Sequence, residues 1–211
     1  MSIASPAHDC ALCPRLAAYR AANRAAHPDW FNGPVPSFGP EDARFLVVGM
    51  APGVAGANRT GRPFTGDYCG DLLYGTLIKF GLARGLYRAE PDDGVTLLNT
   101  RIVNAARCVP PQNKLETEEL NNCNQFLIAE LRGLAQLRII MTLGLDAHKG
   151  LLKALGLRPA HYVFAHGAFH TLPDGRILAN SYHVSRYNTN TRRLTTEMFE
   201  NVVRGVVQRL G

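Results

Sequence analysis

Short, almost uninterrupted apolar runs alternate along this chain with segments in which apolar residues recur at helical spacing. Strand-like composition is found in four segments, residues 44–50, 95–104, 137–143 and 169–181. The run RFLVVGM at residues 44–50 is typical of a parallel strand buried on both faces. The Pro-Asp-Gly turn within residues 169–181 predicts two strands joined by a turn. Because strands alternate with helices, we expect a single α/β domain over residues 1–211, with three α/β/α layers around a central, mainly parallel four-stranded sheet.

Helical spacing predicts the covering layers and the place of a binding site. The helical segments are residues 13–26, 71–82, 117–131, 144–155 and 195–210. Thr117 is the expected N-cap of the third segment. Ligands of open parallel sheets bind at the carboxyl ends of the strands. The loops that follow Met50, Asn104 and Ser181 should therefore converge on one site.

Length and composition limit the class of protein. A chain of 211 residues with 46% hydrophobic and 19% charged residues has the composition of one folded domain, not of a disordered tail. The longest nearly apolar run, residues 45–57, is too short to span a bilayer. Residues 1–10 have no basic head followed by an apolar stretch, so no secretory signal is visible. We expect a soluble, intracellular (cytoplasmic) protein that acts without a membrane.

The charge of the chain indicates a polyanionic partner. The formal net charge is +6, and all but four of the 23 basic residues are arginines. Guanidinium groups bind phosphates in a bidentate manner and stack on bases, although a high-GC coding bias also replaces lysine by arginine. Several basic residues lie in stretches with few acids, a distribution typical of a nucleic-acid footprint. They are Arg59, Arg62, Arg101, Arg107, Lys114, Arg186, Arg192 and Arg193.

Four of the five cysteines have the spacing of a metal site. Cys10 and Cys13 form a C-x2-C pair, and Cys108 and Cys123 follow far downstream. In a reducing compartment such thiols indicate metal or redox chemistry in place of disulfides. Both zinc and a [4Fe-4S] cluster take four thiolates, and the spacing does not choose between them. Cys108 and Cys123 alone could equally be small buried residues, and Cys69 is interpreted as a non-ligand.

The glycine-rich loop after the first strand belongs to none of the common phosphate-binding or esterase motifs. The segment GMAPGVAGANRTGRPFTGD at residues 49–67 lacks the glycine spacing of a dinucleotide fingerprint, and no GK[ST] follows it. No G-x-S-x-G elbow is present either. The loop offers backbone that a ligand can approach closely, and it ends in a single acid, Asp67, after Arg62 and Phe64.

Three segments together resemble the uracil-DNA glycosylase superfamily. They are GMAPG…NRTGRPFTGD, RCVPPQNK and SYHVSRYNTNTRRLT, and the resemblance extends from Cys10 to Leu194. It is closest to the iron–sulfur branch, families 4 and 5, and within it to family 5 (the UDGb type). The resemblance implies that Cys10, Cys13, Cys108 and Cys123 hold a [4Fe-4S] cluster, which would staple the N-terminal arm to the body of the protein.

The resemblance also implies a reaction. It predicts a monofunctional enzyme that cleaves the N-glycosidic bond of uracil in DNA, and of other deaminated bases such as hypoxanthine or xanthine. Family 4 has an acid where Ala51-Pro52 stands here, whereas in family 5 the aspartate of the FTGD segment, here Asp67, takes that duty. The second motif, normally His-Pro-Ser, is His183-Val184-Ser185, so the imidazole is kept and the fixed φ of proline is lost.

The remaining candidates would bind the base and the DNA. Phe64 would stack on the flipped base, Asn104 or Asn113 would read its imide edge, and the backbone at Gly49 and Ala51 would approach it. Arginine contacts to phosphates and a wedge in the gap left by the base are expected from the basic segments. The DNA-binding candidates are Arg59, Arg62, Ser185, Arg186, Tyr187, Arg192 and Arg193, with Arg186 or Tyr187 as the wedge.

Each candidate has a structural alternative. Asp67 could cap a helix, Phe64 could be a core residue, and Asn104 could satisfy the end of a strand. His183 could be a structural hydrogen-bonding residue, and the arginines could be a solvated face. Two other functions compete with a monomeric glycosylase. One is an iron–sulfur DNA-binding or lesion-sensing protein with impaired catalysis, motivated by Val184, and the other is a zinc-stapled nucleotide-binding protein.

Overall fold

The structure is a computed structural model that describes residues 3–211. Its strands are β1 (Phe45–Gly49), β2 (Ala83–Arg84), β3 (Thr96–Leu97), β4 (Thr100–Asn104), β5 (Ile139–Leu143), β6 (Phe169–Thr171) and β7 (Ile177–Ser181). Its helices are α1 (Pro14–Ala26), α2 (Ala57–Thr60), α3 (Tyr68–Lys79), α4 (Thr117–Gly133), α5 (Leu145–Ala154), α6 (Arg186–Asn190) and α7 (Thr196–Leu210). In this part of the chain no helix is both long and apolar enough to cross a membrane.

The central sheet has five strands in the order β4-β1-β5-β7-β6, one more than the expected four. The first four are parallel, and β6 is antiparallel to β7 because the turn at residues 172–176 folds it back as a short edge strand. Gly49 lies opposite Asn104, and Leu143 lies opposite Ser181. The carboxyl ends of all four parallel strands therefore lie along one edge of the sheet.

Alternation along the strands creates the predicted three layers. Phe45 and Val47 of β1 belong to the apolar core shared with α3 and α7, whereas Leu46 and Val48 belong to the core shared with α4 and α5. All five residues of β1 are buried, as the uninterrupted apolar run predicts for a strand covered on both faces.

Local capping explains the differences from the expected boundaries. Helix α3 starts at Tyr68, not near residue 71, because the Asp67 carboxylate accepts a hydrogen bond from the Cys69 N–H. Helix α4 is capped by Glu116, not by Thr117, through a reciprocal capping box with Glu119. The expected strand over residues 95–104 is split into β3 and β4, since Asn99 has φ +51° between them.

A buried ionic cluster ties the first covering layer to the sheet. Glu130 of α4 is fully buried and accepts hydrogen bonds from Arg107 Nη2 at 3.0 Å and from Ser37 Oγ at 2.6 Å. Arg101 donates to the other carboxylate oxygen. We call Glu130, Arg101, Arg107 and Ser37 the Glu130 cluster. Arg101 and Arg107 were expected to belong to a nucleic-acid footprint, and that expectation was wrong, because both are buried against this carboxylate.

Candidate active site

A cavity of about 730 Å³ lies at the carboxyl edge of the parallel strands. Met50 after β1, Asn104 at the end of β4 and His183 after β7 all line it. The loops after these strands thus converge on one place, as the strand order predicts. Ala51, Phe64, Asp67 and Asn113 lie in the same wall.

The two carboxylate oxygens of Asp67 have different surroundings. Oδ1 accepts the Cys69 N–H at 3.0 Å and caps α3. Oδ2 accepts no hydrogen bond from any residue of 3–211, and the side chain lines the cavity. A Cβ atom at Gly53 or Gly56 would lie only 2.8 Å or 2.1 Å from Oδ2, so the glycine-rich loop makes room for this carboxylate. The helix-cap interpretation is therefore right, and the cap aims the second oxygen at the cavity.

His183 lies in the cavity wall, and its buried surroundings favour the neutral imidazole. Burial lowers its pKa from the ordinary value of 6.5, although Asp67 and Asp146 act to raise it. Its carbonyl accepts a hydrogen bond from Asn188 Nδ2 at 2.8 Å. The next residue, Val184, is completely buried in the core. Packing and this hydrogen bond hold the segment in place where the related motif uses a proline.

The Phe64 ring forms part of the cavity wall and is held there by a strained backbone. Its φ is +53°, a conformation that costs an aromatic residue about 1–3 kcal/mol. The Tyr87 hydroxyl donates to the Phe64 carbonyl at 3.1 Å and stabilises this conformation. The ring centroid lies 6.2 Å from that of His183. Gly49 is required behind the ring, since a Cβ there would lie 2.5 Å from Phe64 Cζ.

Asn104 has a buried polar atom without a partner. The residue is 3% exposed, and its Oδ1 forms no hydrogen bond. Most buried polar atoms in proteins are hydrogen-bonded, so this oxygen in the cavity wall is free to accept from a bound water or ligand. Asn113 reaches the same cavity from an exposed turn in which Gln112 and Asn113 have φ of +55° and +56°. The structure brings both candidate amides to the site and does not choose between them.

The cavity has further polar lining that the sequence did not single out. Asp146, in the first turn of α5, and Cys69, in the first turn of α3, both line it. Burial raises the pKa of the Cys69 thiol, and the Asp67 carboxylate raises it further. The position of Asp146 directly after β5, at the carboxyl edge of the sheet, was the signal that could have found it.

The expected phosphate-binding arginines fall into two groups. Arg62 requires a correction, because it is 5% exposed and its guanidinium forms a bidentate ion pair with Asp93 at 2.8 and 2.7 Å. The rings of Phe38, Tyr74 and Tyr87 surround it, so a phosphate has no access. Arg59 remains nearer the surface and pairs with Glu90 at 3.3 Å.

The cationic residues after β7 are exposed beside the cavity. Ser185 lines the cavity and caps α6, the helix that carries Arg186 and Tyr187. Tyr187 is 71% exposed. Arg192 and Arg193 follow the helix and are also exposed. This segment places exposed cationic side chains next to the cavity.

The four spaced cysteines lie together in a second pocket, separate from the cavity that Cys69 lines. Cys10, Cys13, Cys108 and Cys123 line one small pocket between α1 and α4. Arg20 Nη1 lies 3.4 Å from Cys108 Sγ, and the Arg107 N–H donates to Cys123 Sγ at 3.3 Å. Donors of this kind favour thiolates. Burial raises the pKa of the Cys123 thiol to about 11.

Comparison with known proteins places the chain among related sequences. A family model described as the Uracil DNA glycosylase superfamily matches residues 36–206. The chain is 46% identical over 200 residues to a type-5 uracil-DNA glycosylase of Thermus thermophilus, covering 92% of this chain and 90% of that protein. It is 40% identical to the type-5 uracil-DNA glycosylase of Pyrobaculum aerophilum (93% and 87% covered) and 37% identical to that of Mycobacterium leprae (92% and 89%).

Proposed function

This chain belongs to the uracil-DNA glycosylase superfamily, and from that premise we propose that it hydrolyses the N-glycosidic bond of uracil in DNA. The observation that carries the proposal is the meeting of Asp67, His183, Phe64 and Asn104 around one cavity. A base stacked inside a duplex cannot reach such a cavity, so the enzyme must swing the nucleotide out of the helix.

Asp67 supplies the negative charge that the reaction needs at the sugar. When the bond between C1′ and the base nitrogen breaks, its electron pair leaves with the base and positive charge develops on the sugar. The unpartnered Oδ2 stabilises that charge and orients a water molecule. The water oxygen bonds to C1′, and its proton is released to the solvent or to the departing base. The products are the free base and an abasic site.

His183 stabilises the leaving base. A neutral imidazole donates a hydrogen bond to a base carbonyl without first losing a proton, and burial keeps the pKa of His183 below its ordinary value. One fixed donor aimed at a developing oxyanion is worth about 2.7–4 kcal/mol. The side chain therefore acts as an electrostatic stabiliser, not as the proton source for the first step.

Base recognition falls to Phe64 and a side-chain amide. The Phe64 ring stacks on the extruded base, and an asparagine amide matches the imide edge of uracil with one donor and one acceptor. Asn104 and Asn113 both line the cavity, and Asn104 is the first to test, because its Oδ1 has no partner in the protein. The cavity of about 730 Å³ leaves room for larger deaminated bases, which extends the proposed substrates to hypoxanthine and xanthine.

DNA is held from the segment after β7. Arg186, Arg192, Arg193 and, on the other side, Arg59 contact phosphates, and exposed Tyr187 enters the gap left by the base. We expect the protein to act as a monomer on chromosomal DNA inside the cell, because one chain supplies every group of the site.

The four-cysteine pocket is proposed to hold a [4Fe-4S] cluster. All four spaced cysteines line this one pocket, and four thiolates are the ligand set that such a cluster takes. It would join the N-terminal arm to α4 and the Cys108 loop, and its bonds would contribute to folding. Purified protein should be brown and contain iron, and a colourless protein with zinc would contradict the proposal.

Release of free base tests the reaction itself. Wild-type protein should convert duplexes with uracil, and at lower rates those with hypoxanthine or xanthine, into abasic DNA. Release from uracil and not from the purines would restrict the substrate range. Tight binding of the duplex without release of the base would favour the lesion-sensing alternative. That alternative was motivated by Val184, and the complete burial of Val184 gives it no support.

A further inference from the structure

One wall of the cavity is an exposed turn. We call residues 110–116 the Asn113 loop. Asn113, Lys114, Leu115 and Glu116 all line the cavity. Gln112, Asn113 and Lys114 are exposed, and the first two have positive φ. Strained backbone of this kind persists only where surrounding contacts determine it.

A single arginine, Arg15, contacts the C-terminal part of this loop and the first turn of α4 beside it. Arg15 Nη2 donates to the Lys114 carbonyl at 2.9 Å. The same guanidinium binds both oxygens of Glu119 at 2.7 Å and lies 3.1 Å from Glu116 Oε1. Arg15 does not itself line the cavity.

The arginine contact has no counterpart elsewhere in the described chain. Within residues 3–211, no other side-chain hydrogen bond or ion pair joins the Asn113 loop to a residue outside residues 110–133. Glu119, the anchor of the contact, is 4% exposed, and its Oε2 also accepts the Glu116 N–H at 2.8 Å.

We infer that Arg15 is a positioning residue for the active site, which holds the Asn113 loop in its cavity-lining conformation. Its effect on catalysis rests on the proposed function, whereas its effect on the loop does not. The contact also gives the N-terminal arm a part in shaping the base-binding cavity. Asn122 Nδ2 bonds the Leu12 carbonyl at 2.9 Å and fixes the arm just before Arg15.

The chain offers a matched control on the same helix. Arg24 donates to Asp9 Oδ1 at 2.6 Å and to the Asn32 carbonyl at 3.0 Å. Like Arg15, it bonds to a carboxylate and to backbone carbonyl oxygen, and it also contacts the ring and the carbonyl of His8. It touches neither the Asn113 loop nor the cavity.

Hydrogen exchange tests the clamp without any reference to activity. In Arg15→Ala, the amides of Lys114 and Glu116 should exchange at least about tenfold faster than in the wild type, whereas Arg24→Ala should leave them unchanged. If Arg15→Ala does not fold, Arg15→Lys, which keeps the positive charge but loses the planar fork of donors, should show an intermediate rate. Equal exchange in the wild type and the folded Arg15 variant would overturn the inference.

Kinetics on uracil-containing duplex tests the consequence. Misplacement of a wall of the active site lowers kcat/KM by roughly 10–100-fold, and we expect a loss in that range for Arg15→Ala. The assay is run well below the melting temperature of the variant, on protein whose metal content equals that of the wild type. Arg24→Ala should stay within about twofold. If Arg15 only stabilises the fold, the melting temperature of Arg15→Ala falls and the kcat/KM of the folded variant does not change. Should the wild type release no uracil, the proposed function fails while the exchange experiment still decides the role of Arg15.

Discussion

The active-site cavity and the Glu130 cluster treat buried polar groups in opposite ways. In the Glu130 cluster both carboxylate oxygens are bonded, to two arginines and a serine hydroxyl. In the cavity, Asn104 Oδ1 is buried without a partner and Asp67 Oδ2 accepts no hydrogen bond within residues 3–211. The Glu130 carboxylate is thus satisfied by protein groups alone, although Arg107 Nε beside it is buried without a partner, whereas the two cavity oxygens are left free for a bound molecule.

The difference also separates the arginines of this basic chain. Arg62 and Arg107 are paired with carboxylates in the interior, and their charge is part of the fold. Arg192 and Arg193 lie on the surface without an acidic partner among the described ion pairs. The arginines look alike in the sequence but differ in the structure. Those that pair with a buried carboxylate belong to the fold, and those without an acidic partner lie on the surface.

The largest effect is expected from removing the charge of Asp67. Asp67→Asn keeps a good N-cap for α3, so the free energy of unfolding should change by less than about 0.5 kcal/mol. The carboxylate proposed to stabilise the sugar cation is lost, and the excision rate should fall by roughly 10³-fold. Single-turnover kinetics and urea unfolding check the two halves. Full activity in this variant would remove Asp67 from the mechanism.

The Glu130 cluster should respond in the opposite way. Glu130→Gln leaves two buried guanidinium groups without a charged partner, which should lower the free energy of unfolding by about 3–5 kcal/mol. The residue does not line the cavity. The molecules that remain folded in the cold should therefore excise uracil at the wild-type rate, and a selective loss of activity would contradict the comparison.

Loss of one exposed arginine should weaken DNA binding modestly. Arg193→Ala should reduce the slope of log K against log salt by about 0.9, the value for one phosphate contact. Arg176, which pairs with Asp174 in the β6–β7 turn, is the matched control and should leave the slope unchanged. Fluorescence anisotropy over a salt series measures both, and equal slopes in both variants would exclude Arg193 from the interface.

The smallest effect is a dependence of stability on pH. Burial lowers the pKa of His183, so the unfolded chain takes up a proton at this residue more readily than the folded one. Stability should therefore fall as the pH drops below about 6.5, by at most about 1.4 kcal/mol per pH unit. His183→Gln should lose this component. Urea unfolding of both proteins at pH 7.5 and 5.5 tests it, and parallel pH dependence would show that His183 contributes nothing.

The fold was predictable where a local pattern decides it. The apolar run of β1 and the turn between β6 and β7 predicted the three-layer fold, although the strand count was one too low. Asp67 and His183 were found because they stand in recognisable segments at the carboxyl edge of the sheet. Their roles, like the cluster in the four-cysteine pocket, stay predictions.

Long-range pairing is what the local pattern could not supply. Arg62 resembled a phosphate ligand because its partner, Asp93, lies 31 residues away. The sequence singled out no role for Arg15, since its partner Glu119 is 104 residues distant. Only the folded chain shows that Arg62 is unavailable to DNA and that Arg15 contacts a loop of the cavity wall.

Asn104→Ala tests most directly whether the unpartnered polar atoms of the cavity exist for the substrate. The substitution removes a buried oxygen that the protein leaves unbonded, so the free energy of unfolding should be unchanged or slightly higher. Excision of uracil should fall by about 10²-fold, as expected when a buried site loses one hydrogen-bonding group toward its ligand. The contradictory result is a variant that is less stable than the wild type but excises uracil at the same rate.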